Sequence, residues 1–147
     1  MNRINLLILL ALITQACNDP DMKISVLNNI KVENIPSGSG IIRSGELYYI
    51  IGDDTQFLFT LNKDFKAISK IPLLDSVNFS EDRIIKSKKP DFEALEMIGK
   101  NEIVVFGSGS KSPERNIFIR ILLKDPMIIE RYDISELYNN LRNLPIL

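Results

Sequence analysis

Two stretches of the sequence decide the fold: YYIIG at residues 48–52 and IVVFG at residues 103–107. Each is an unbroken run of aromatic and aliphatic residues, mostly β-branched, that ends in glycine, which is typical of a strand buried on both faces. The second stretch follows the first at a distance of 55 positions, counted from Gly52 to Gly107. Because similar strands at such a distance indicate a repeated unit, the chain is predicted to contain two copies of one β unit.

Shorter apolar runs around these stretches predict four strands in each unit. The first unit has predicted strands at residues 41–43, 47–51, 57–61 and 67–73, and the second at residues 92–98, 103–106, 117–123 and 127–132. Turn residues separate the strands, as expected of antiparallel hairpins. Ahead of the first unit, residues 23–35 are predicted to form one strand or two half-strands, and residues 36–40 a loop.

The fold class that follows is all-β, with antiparallel four-stranded meanders of β-propeller type. Tandem meanders are typical of propeller blades, and propellers have about four to eight blades. Two units therefore make an incomplete ring, and residues 24–147 are predicted to be a partial β-propeller domain. An antiparallel barrel or sandwich built from similar hairpins is the alternative that this pattern leaves open.

The carboxyl end predicts a short helix over residues 135–144. Asp133, followed by Glu136, resembles a capping box, and Pro145 ends the helical pattern. Three leucines repeat at helical spacing, namely Leu137, Leu141 and Leu144. Their stripe is expected to pack against the rest of the fold.

The amino terminus has the pattern of an export signal. Residues 1–3 (MNR) give a positive start, and residues 4–13 are free of charge. That run is too short for a membrane-spanning helix, which needs about 20 residues, but it suits a signal-peptide core of about 7–15 residues. Residues 1–16 are therefore predicted to be a signal peptide.

Residues 14–17 (TQAC) resemble a bacterial lipobox, in which Ala16 precedes the cleavage site and Cys17 carries the lipid. Thr14 departs from the aliphatic residue that is usual at its position. The resemblance implies a lipoprotein of the bacterial cell envelope, with residues 17–23 as a tether. The acidic residues after Cys17 resemble those of some lipoproteins displayed on the outer surface of Gram-negative cells, so the outer membrane is the expected location. The alternative is an ordinary secretory peptide, with Cys17 as an incidental thiol.

Composition restricts the chemistry. The chain has no His and one Cys, which excludes a Ser-His-Asp or Cys-His site and a zinc site of His or several Cys. Lys and Arg number 18 against 19 Asp and Glu, so no global basic field would recruit nucleic acid. Carboxylates, hydroxyls, Lys, Arg or a hard cation remain available, and no catalytic residue is assigned.

Two unusual loops are predicted to meet at one end of the second unit. In a meander, the loop before the first strand and the loop between the second and third strands lie at the same end. This brings residues 86–93 (KSKKPDFE) beside residues 107–115, where a Gly-rich loop could direct backbone N–H groups at an anion. The predicted anion- or ligand-binding residues are Lys89, Ser108, Ser110, Lys111 and Arg115.

Asp91 and Glu93 are candidate calcium ligands at the same end. Calcium prefers carboxylate and carbonyl oxygens, and both residues lie where the strand at residues 92–98 begins. The alternative is structural: Glu93 would form a salt bridge with Lys89 or Arg115.

Residues 89–95 (KPDFEAL), residues 105–110 (VFGSGS) and Arg115-Asn116 resemble a family of uncharacterised bacterial propeller lipoproteins. That family is similar in turn to phytase-like and esterase-like propellers, whose Asp-x-Glu strand starts can hold calcium. The resemblance implies a propeller and metal roles for Asp91 and Glu93. This chain looks like the amino-terminal half of such a protein.

Three functions are compatible with these features. The first is a membrane-anchored binding or structural module of unknown ligand, and the second is half or a remnant of a calcium-dependent phosphoesterase-like propeller. The third, a small β-barrel that binds a hydrophobic ligand, would need a closed cavity. Because an open half-ring exposes strand edges and apolar faces, self-association or a missing C-terminal half is expected as the partner, together with the membrane.

Overall fold

The structure is a computed structural model that describes residues 25–75, 79–80 and 83–145. The chain divides into two units, residues 1–30 and residues 31–147. In the first unit, residues 25–30 are exposed and form neither helix nor strand. The predicted signal peptide, Cys17 and the predicted tether up to residue 23 lie outside the described residues. Among the described residues, no helix is long and apolar enough to cross a membrane.

The second unit contains two four-stranded antiparallel sheets and one short helix. The strands of the first sheet are β1 (Gly38–Ser44), β2 (Leu47–Gly52), β3 (Phe57–Leu61) and β4 (Ala67–Pro72). A two-stranded ribbon follows, made of β5 (Phe79–Ser80) and β6 (Arg83–Ile84). The second sheet contains β7 (Phe92–Ile98), β8 (Glu102–Gly107), β9 (Ile117–Leu122) and β10 (Ile128–Asp133), and α1 (Ser135–Arg142) ends the fold.

Both four-stranded sheets are meanders in which each strand pairs with the next along the chain. The all-β class and the two four-stranded units are therefore confirmed, as is the short C-terminal helix. The predicted strand over residues 23–35 is wrong for residues 25–35, which pair with no strand. The predicted loop at residues 36–40 is also wrong in part, because β1 already begins at Gly38, which pairs with Gly52. The ribbon β5–β6 was not predicted.

The two sheets repeat the same backbone details where their first strands begin. Ser37 and Asp91 each precede a first strand with a positive φ, 48° and 55° respectively. The carbonyl of Ser37 accepts a hydrogen bond from the N–H of Asp53 at 2.9 Å, and that of Asp91 accepts one from Ser108 at 2.8 Å. A β-bulge then follows in both β1 and β7. These shared details establish a structural repeat.

The repeat continues at the start of the third strands. The carbonyl of Gln56 accepts a hydrogen bond from Leu73 N–H at 2.8 Å, and that of Asn116 accepts one from Ile134 N–H at 2.9 Å. Gln56 and Asn116 are 60 positions apart, whereas Gly52 and Gly107 are 55 apart. The five additional residues therefore lie in the loop between β8 and β9.

The core is formed by unlike faces of the two sheets. We call the face of the first sheet with Tyr49, Ile51 and Leu58 its front. These residues form one buried cluster with residues of the second sheet, namely Ile103, Val105, Ile119 and Ile121. We call this face of the second sheet its back. Burial of these side chains, each worth about 1.5–3 kcal/mol, holds the two sheets together.

The remaining two faces follow from the repeat. The back of the first sheet carries Ile50, Phe59 and Leu61, and Val32 and Ile35 pack against it. The apolar residues Val32 and Ile35 thus pack on a sheet and are not part of a strand. The front of the second sheet is the face equivalent to the front of the first, and its residues are Val104, Phe106, Phe118 and Arg120.

The helix α1 begins at Ser135 as predicted but ends at Arg142, two residues earlier than predicted, and its capping and packing differ from the prediction. Its N-cap is Ile134, which makes no capping hydrogen bond through its side chain. Asp133 accepts a hydrogen bond from the N–H of Ser135 at 2.8 Å, so the predicted capping box with Glu136 is wrong. The expected packing of the leucine stripe is also wrong, since the side chains are about half exposed: Leu137 47%, Leu141 51% and Leu144 60%.

Candidate functional site

Asp91 is the centre of a polar cluster at the end where the two predicted loops meet. Its Oδ2 accepts hydrogen bonds from Arg115 Nη1 at 2.7 Å and from Ser108 Oγ at 2.8 Å. Its Oδ1 lies 2.9 Å from Lys89 Nζ. The structure therefore brings residues 86–93 and residues 107–115 together, and a carboxylate joins them.

Lys89 extends this cluster to the first sheet. Its Nζ lies 3.1 Å from Asp53 Oδ2 and 2.9 Å from Asp54 Oδ1, in addition to its contact with Asp91. The Lys89 side chain is only 11% exposed. We call Asp53, Asp54, Lys89, Asp91 and Arg115 the rim network. A buried ammonium group needs carboxylate partners of this kind to compensate its lost hydration.

Local backbone conformation positions the rim network. Asp53 and Asp54 lie in the turn that follows β2, and the left-handed conformation of Asp91 turns the chain into β7. Asp and Asn tolerate this conformation better than most residues because their short side chains bond locally. Ser37 Oγ also donates to Asp54 Oδ2 at 3.0 Å, and Arg83 Nη1 lies 3.6 Å from the same oxygen.

The pKa directions agree with a fully charged network at neutral pH. The hydrogen bond from Lys89 is the largest cause of the lowered pKa of Asp54. Burial tends to raise the pKa of Asp91, but the hydrogen bonds from Lys89 and Ser108 and the positive charges nearby lower it overall. Burial tends to lower the pKa of Lys89, but its three carboxylate partners raise it above its usual value. Each charged group thus stabilises the ionised form of its partners.

The Gly-rich loop has its donors occupied within the protein. The N–H groups of Ser108 and Gly109 donate to the carbonyls of Asp91 and Arg115, and the N–H of Ser110 donates to Ser108 Oγ at 3.2 Å. The hydroxyl of Ser110 accepts a hydrogen bond from Arg115 Nη1 at 2.7 Å. An anion would have to displace these partners, so the predicted anion site stays a prediction without supporting geometry.

Lys111 is the most accessible cation among the predicted anion-binding residues. Its side chain is 49% exposed, and its Nζ lies 3.4 Å from Glu114 and donates to the carbonyl of Ser87 at 3.3 Å. These contacts tie the β8–β9 loop to residues 86–88. They place Lys111 at the margin of the rim network and outside its hydrogen bonds with Asp91.

The helix α1 contacts the Gly-rich loop through two polar side chains. Tyr138 donates its hydroxyl hydrogen to the carbonyl of Gly107 at 2.6 Å, and Arg142 donates to the carbonyl of Gly109. A side chain at position 109 would collide with the Tyr138 ring, which packs directly on Gly109. Polar contacts of Tyr138 and Arg142 therefore attach the helix, and its leucines do not.

Asp91 and Glu93 have different environments. Glu93 is exposed, and no hydrogen bond or ion pair joins it to another described residue. The alternative of a salt bridge from Glu93 to Lys89 or Arg115 is wrong, because Asp91 takes both cations. Sequence pattern could not separate the two carboxylates, since the choice depends on the turn at Asp91 and on the bulge between Phe92 and Ala94.

The described geometry does not fit calcium at this position. The ammonium of Lys89 and the guanidinium of Arg115 already neutralise Asp91, and their positive charges oppose a second cation. Among the residues that the structure describes, no group of three or more Asp, Glu or Cys could hold a metal ion. The calcium roles of Asp91 and Glu93 stay predictions.

Sequence reasoning missed the two carboxylates of the first sheet. Asp53 and Asp54 lie in the turn between β2 and β3, and they also bind Lys89. The repeat itself was the available signal: Gly52-Asp53 is equivalent to Gly107-Ser108, and Ser108 belongs to the predicted site.

These features define an all-β protein with two repeated four-stranded sheets joined by a buried ion-pair network at one end. The chain belongs to the family of unknown function DUF6929, whose model matches residues 34–147. No curated protein and no solved structure matches the chain.

Proposed function

We propose that the protein is a membrane-anchored binding and structural module of β-propeller type, held at the outer membrane of a bacterial cell by a lipid on Cys17. The observation that carries the structural part of the proposal is that Lys89 forms ion pairs with three carboxylates, those of Asp53, Asp54 and Asp91. Because the charges at the rim are bound to one another, the rim network acts as a structural connection between the sheets.

The exposed surface supports binding through a sheet face in place of a deep polar cleft. The front of the second sheet carries a row of three aromatic rings, in which Phe106 and Phe118 lie 4.9 Å apart and Phe118 and Tyr132 lie 5.8 Å apart. Tyr132 is 45% exposed. Aromatic residues and Arg are enriched where proteins bind one another, and this face also carries Arg120.

The lipobox supports the anchor. TQAC at residues 14–17 follows a charge-free run of signal-peptide length, and Cys17 is the one cysteine of the chain. A single lipid chain gives only reversible membrane binding, whereas the multiple acyl chains of a bacterial lipoprotein give a stable anchor.

Metabolic labelling with a fatty acid tests the anchor. We expect label in the wild-type protein, and we expect Cys17→Ser to lose the label and to leave the membrane fraction. Ser25→Ala, a hydroxyl change beyond the tether, is the control that should keep both. Label or membrane attachment that persists in Cys17→Ser would overturn the proposed anchor.

The structural role of the rim network is tested separately with inorganic phosphate. If Lys89 and Arg115 are held by their carboxylates, millimolar phosphate should leave the melting temperature unchanged relative to sulfate-free, chloride-matched buffer. A stabilisation by phosphate that disappears in Arg115→Gln would show an anion site instead.

A further inference from the structure

The two sheets pack through unlike faces. The front of the first sheet contacts the back of the second, and the two fronts are equivalent surfaces. Tyr49 and Ile51 on the first front correspond to Val104 and Phe106 on the second, at the same distance of 55 positions. Leu58 corresponds to Phe118, 60 positions later.

The backs of the two sheets are equivalent in the same way. Ile50 and Phe59 on the back of the first sheet correspond to Val105 and Ile119 on the back of the second. Val105 and Ile119 are fully buried because the first front covers them. The chain therefore carries one complete front-to-back contact, together with a second front and a second back of the same kind.

From this repetition we infer that the front of the second sheet binds the back of the first sheet of a second copy of the chain. The occupant is argued from the contact that exists within one chain, where an equivalent front already receives an equivalent back. The inference deepens the proposed function, on which it rests only for the use of this face in binding.

The front of the second sheet has the composition of an interface. Its aromatic row, Phe106, Phe118 and Tyr132, runs straight across three strands, because these residues are direct partners in the strand pairing. The next row contains Arg120, which donates to Glu102 at 2.8 Å and to Glu130 at 3.1 Å. In the first front, the position of Arg120 is taken by Thr60, so the second front is the more polar and the better suited to exposure before assembly.

Charge favours the same pairing. The second front carries Glu96, Glu102 and Glu130 against one Arg120, which leaves it acidic. The back of the first sheet carries Arg43, which is the strand partner of Tyr48 and lies 3.7 Å from Glu46, and Lys70, the strand partner of Phe59. An acidic front and a basic back attract each other and disfavour contacts between like faces.

The back of the first sheet is only partly covered within the chain. Val32, Ile35 and Phe65 pack against its centre, where Ile50, Phe59 and Leu61 are buried, whereas Ile41 and Ile68 on its outer strands are 54% and 57% exposed. Two open hollows of about 300 Å³ and 290 Å³ lie against this sheet, the first lined by Gly38, Ile41 and Ile50 and the second by Asn34, Phe59 and Ile68. A second copy would fill this uncovered part.

A front-to-back contact between copies is heterologous, so it closes into a ring when the rotation between copies permits. The assembly that we infer joins copies of the same chain front to back.

Co-purification of two differently tagged full-length copies, solubilised in detergent, tests the inference. We expect wild-type copies to co-purify. Tyr132→Glu in both copies should reduce co-purification at least tenfold, and so should Ile41→Glu in both copies, because each variant removes one side of the same interface. Leu137→Glu, an exposed apolar residue on α1, is the matched control that should have no effect.

The mixed pair distinguishes the direction of the contact. A Tyr132→Glu copy keeps a native back, and an Ile41→Glu copy keeps a native front, so this pair should still co-purify. If two fronts met instead, Ile41→Glu in both copies would bind normally and the mixed pair would fail, which would overturn the inference. Wild-type copies that do not co-purify would overturn it as well.

Folding and anchoring are checked on the same samples. Each variant should keep the cooperative melting curve of the wild type, and Tyr132→Lys replaces Tyr132→Glu if the latter does not. Fatty-acid label on Cys17 is measured in parallel, so that wild-type copies that keep the label but do not co-purify refute this inference alone and leave the proposed anchor standing.

Discussion

Lys89, which precedes the second sheet, places its Nζ 2.9 Å from Oδ1 of Asp54, which lies in the first sheet's hairpin turn 35 positions earlier. This contact joins the two sheets at the end where β2 turns into β3, opposite to the β1–β2 and β3–β4 turns. Lys89 also contacts Asp53 and Asp91. Its loss would therefore remove the positive charge that offsets the repulsion among the three carboxylates.

We therefore predict that Lys89→Met lowers the free energy of unfolding by about 2 kcal/mol. Breaking a buried ion pair costs about 3–5 kcal/mol, and partial exposure of Asp53 and Asp54 reduces this value. Urea denaturation measures the change. Lys86→Met, which removes a nearby exposed lysine, should change stability by less than about 0.5 kcal/mol. Equal stability of the two variants would contradict a structural role of Lys89.

Acid should destabilise the wild type more than Lys89→Met. The pKa values of Asp54 and Asp91 are lowered in the folded state, chiefly by hydrogen bonds from Lys89. Their contribution is therefore complete above the unfolded value of about 3.9, and it is lost as the pH falls through the lower folded pKa. Urea denaturation at intervals between roughly pH 6 and pH 2 measures how the free energy of unfolding changes with pH. Parallel pH profiles of the two proteins would show that Lys89 is not the cause.

Gly107→Ala should be strongly destabilising. A Cβ at this position would lie 2.6 Å from the carbonyl oxygen of Arg115 and 2.8 Å from that of Pro90, so the backbone would have to move. We expect a loss of about 3 kcal/mol, at the upper end for an overpacked site. Gly45→Ala is the control: its φ is +60° but nothing lies within 4 Å, and it should lose only about 1 kcal/mol. The reverse order in thermal denaturation would refute the close approach at Gly107.

Tyr138→Phe should loosen α1 from the Gly-rich loop. The change removes the hydrogen bond to the carbonyl of Gly107 and keeps the ring that packs on Gly109, so we expect a loss of about 1 kcal/mol. Amide hydrogen exchange should also rise in α1 before it rises in the sheets. Tyr132→Phe removes an exposed hydroxyl that donates to Glu130, and it should leave both quantities nearly unchanged. Unaltered exchange in α1 of Tyr138→Phe would contradict this attachment.

The strands of both sheets could be predicted because their side chains follow strong local patterns. The bounds of β3 and β7 agree with the prediction at both ends, and the meander geometry correctly placed residues 86–93 beside residues 107–115. The errors fall where burial depends on distant residues. Residues 25–35 include apolar residues of the kind found in strands but pair with none, and the leucines of α1 have helical spacing but remain half exposed.

By itself, the sequence determined the all-β class, the repeat of YYIIG and IVVFG, and the short helix after β10, because hydrophobic periodicity and turn residues act over a few positions. Only the tertiary structure decided that Lys89 binds Asp53 and Asp54, that Asp91 and not Glu93 holds Arg115, and that a front packs on a back. The physical reason is that ion pairing and face selection depend on the three-dimensional distance between residues far apart in the chain, and on a bulge and a left-handed turn that local patterns do not reveal.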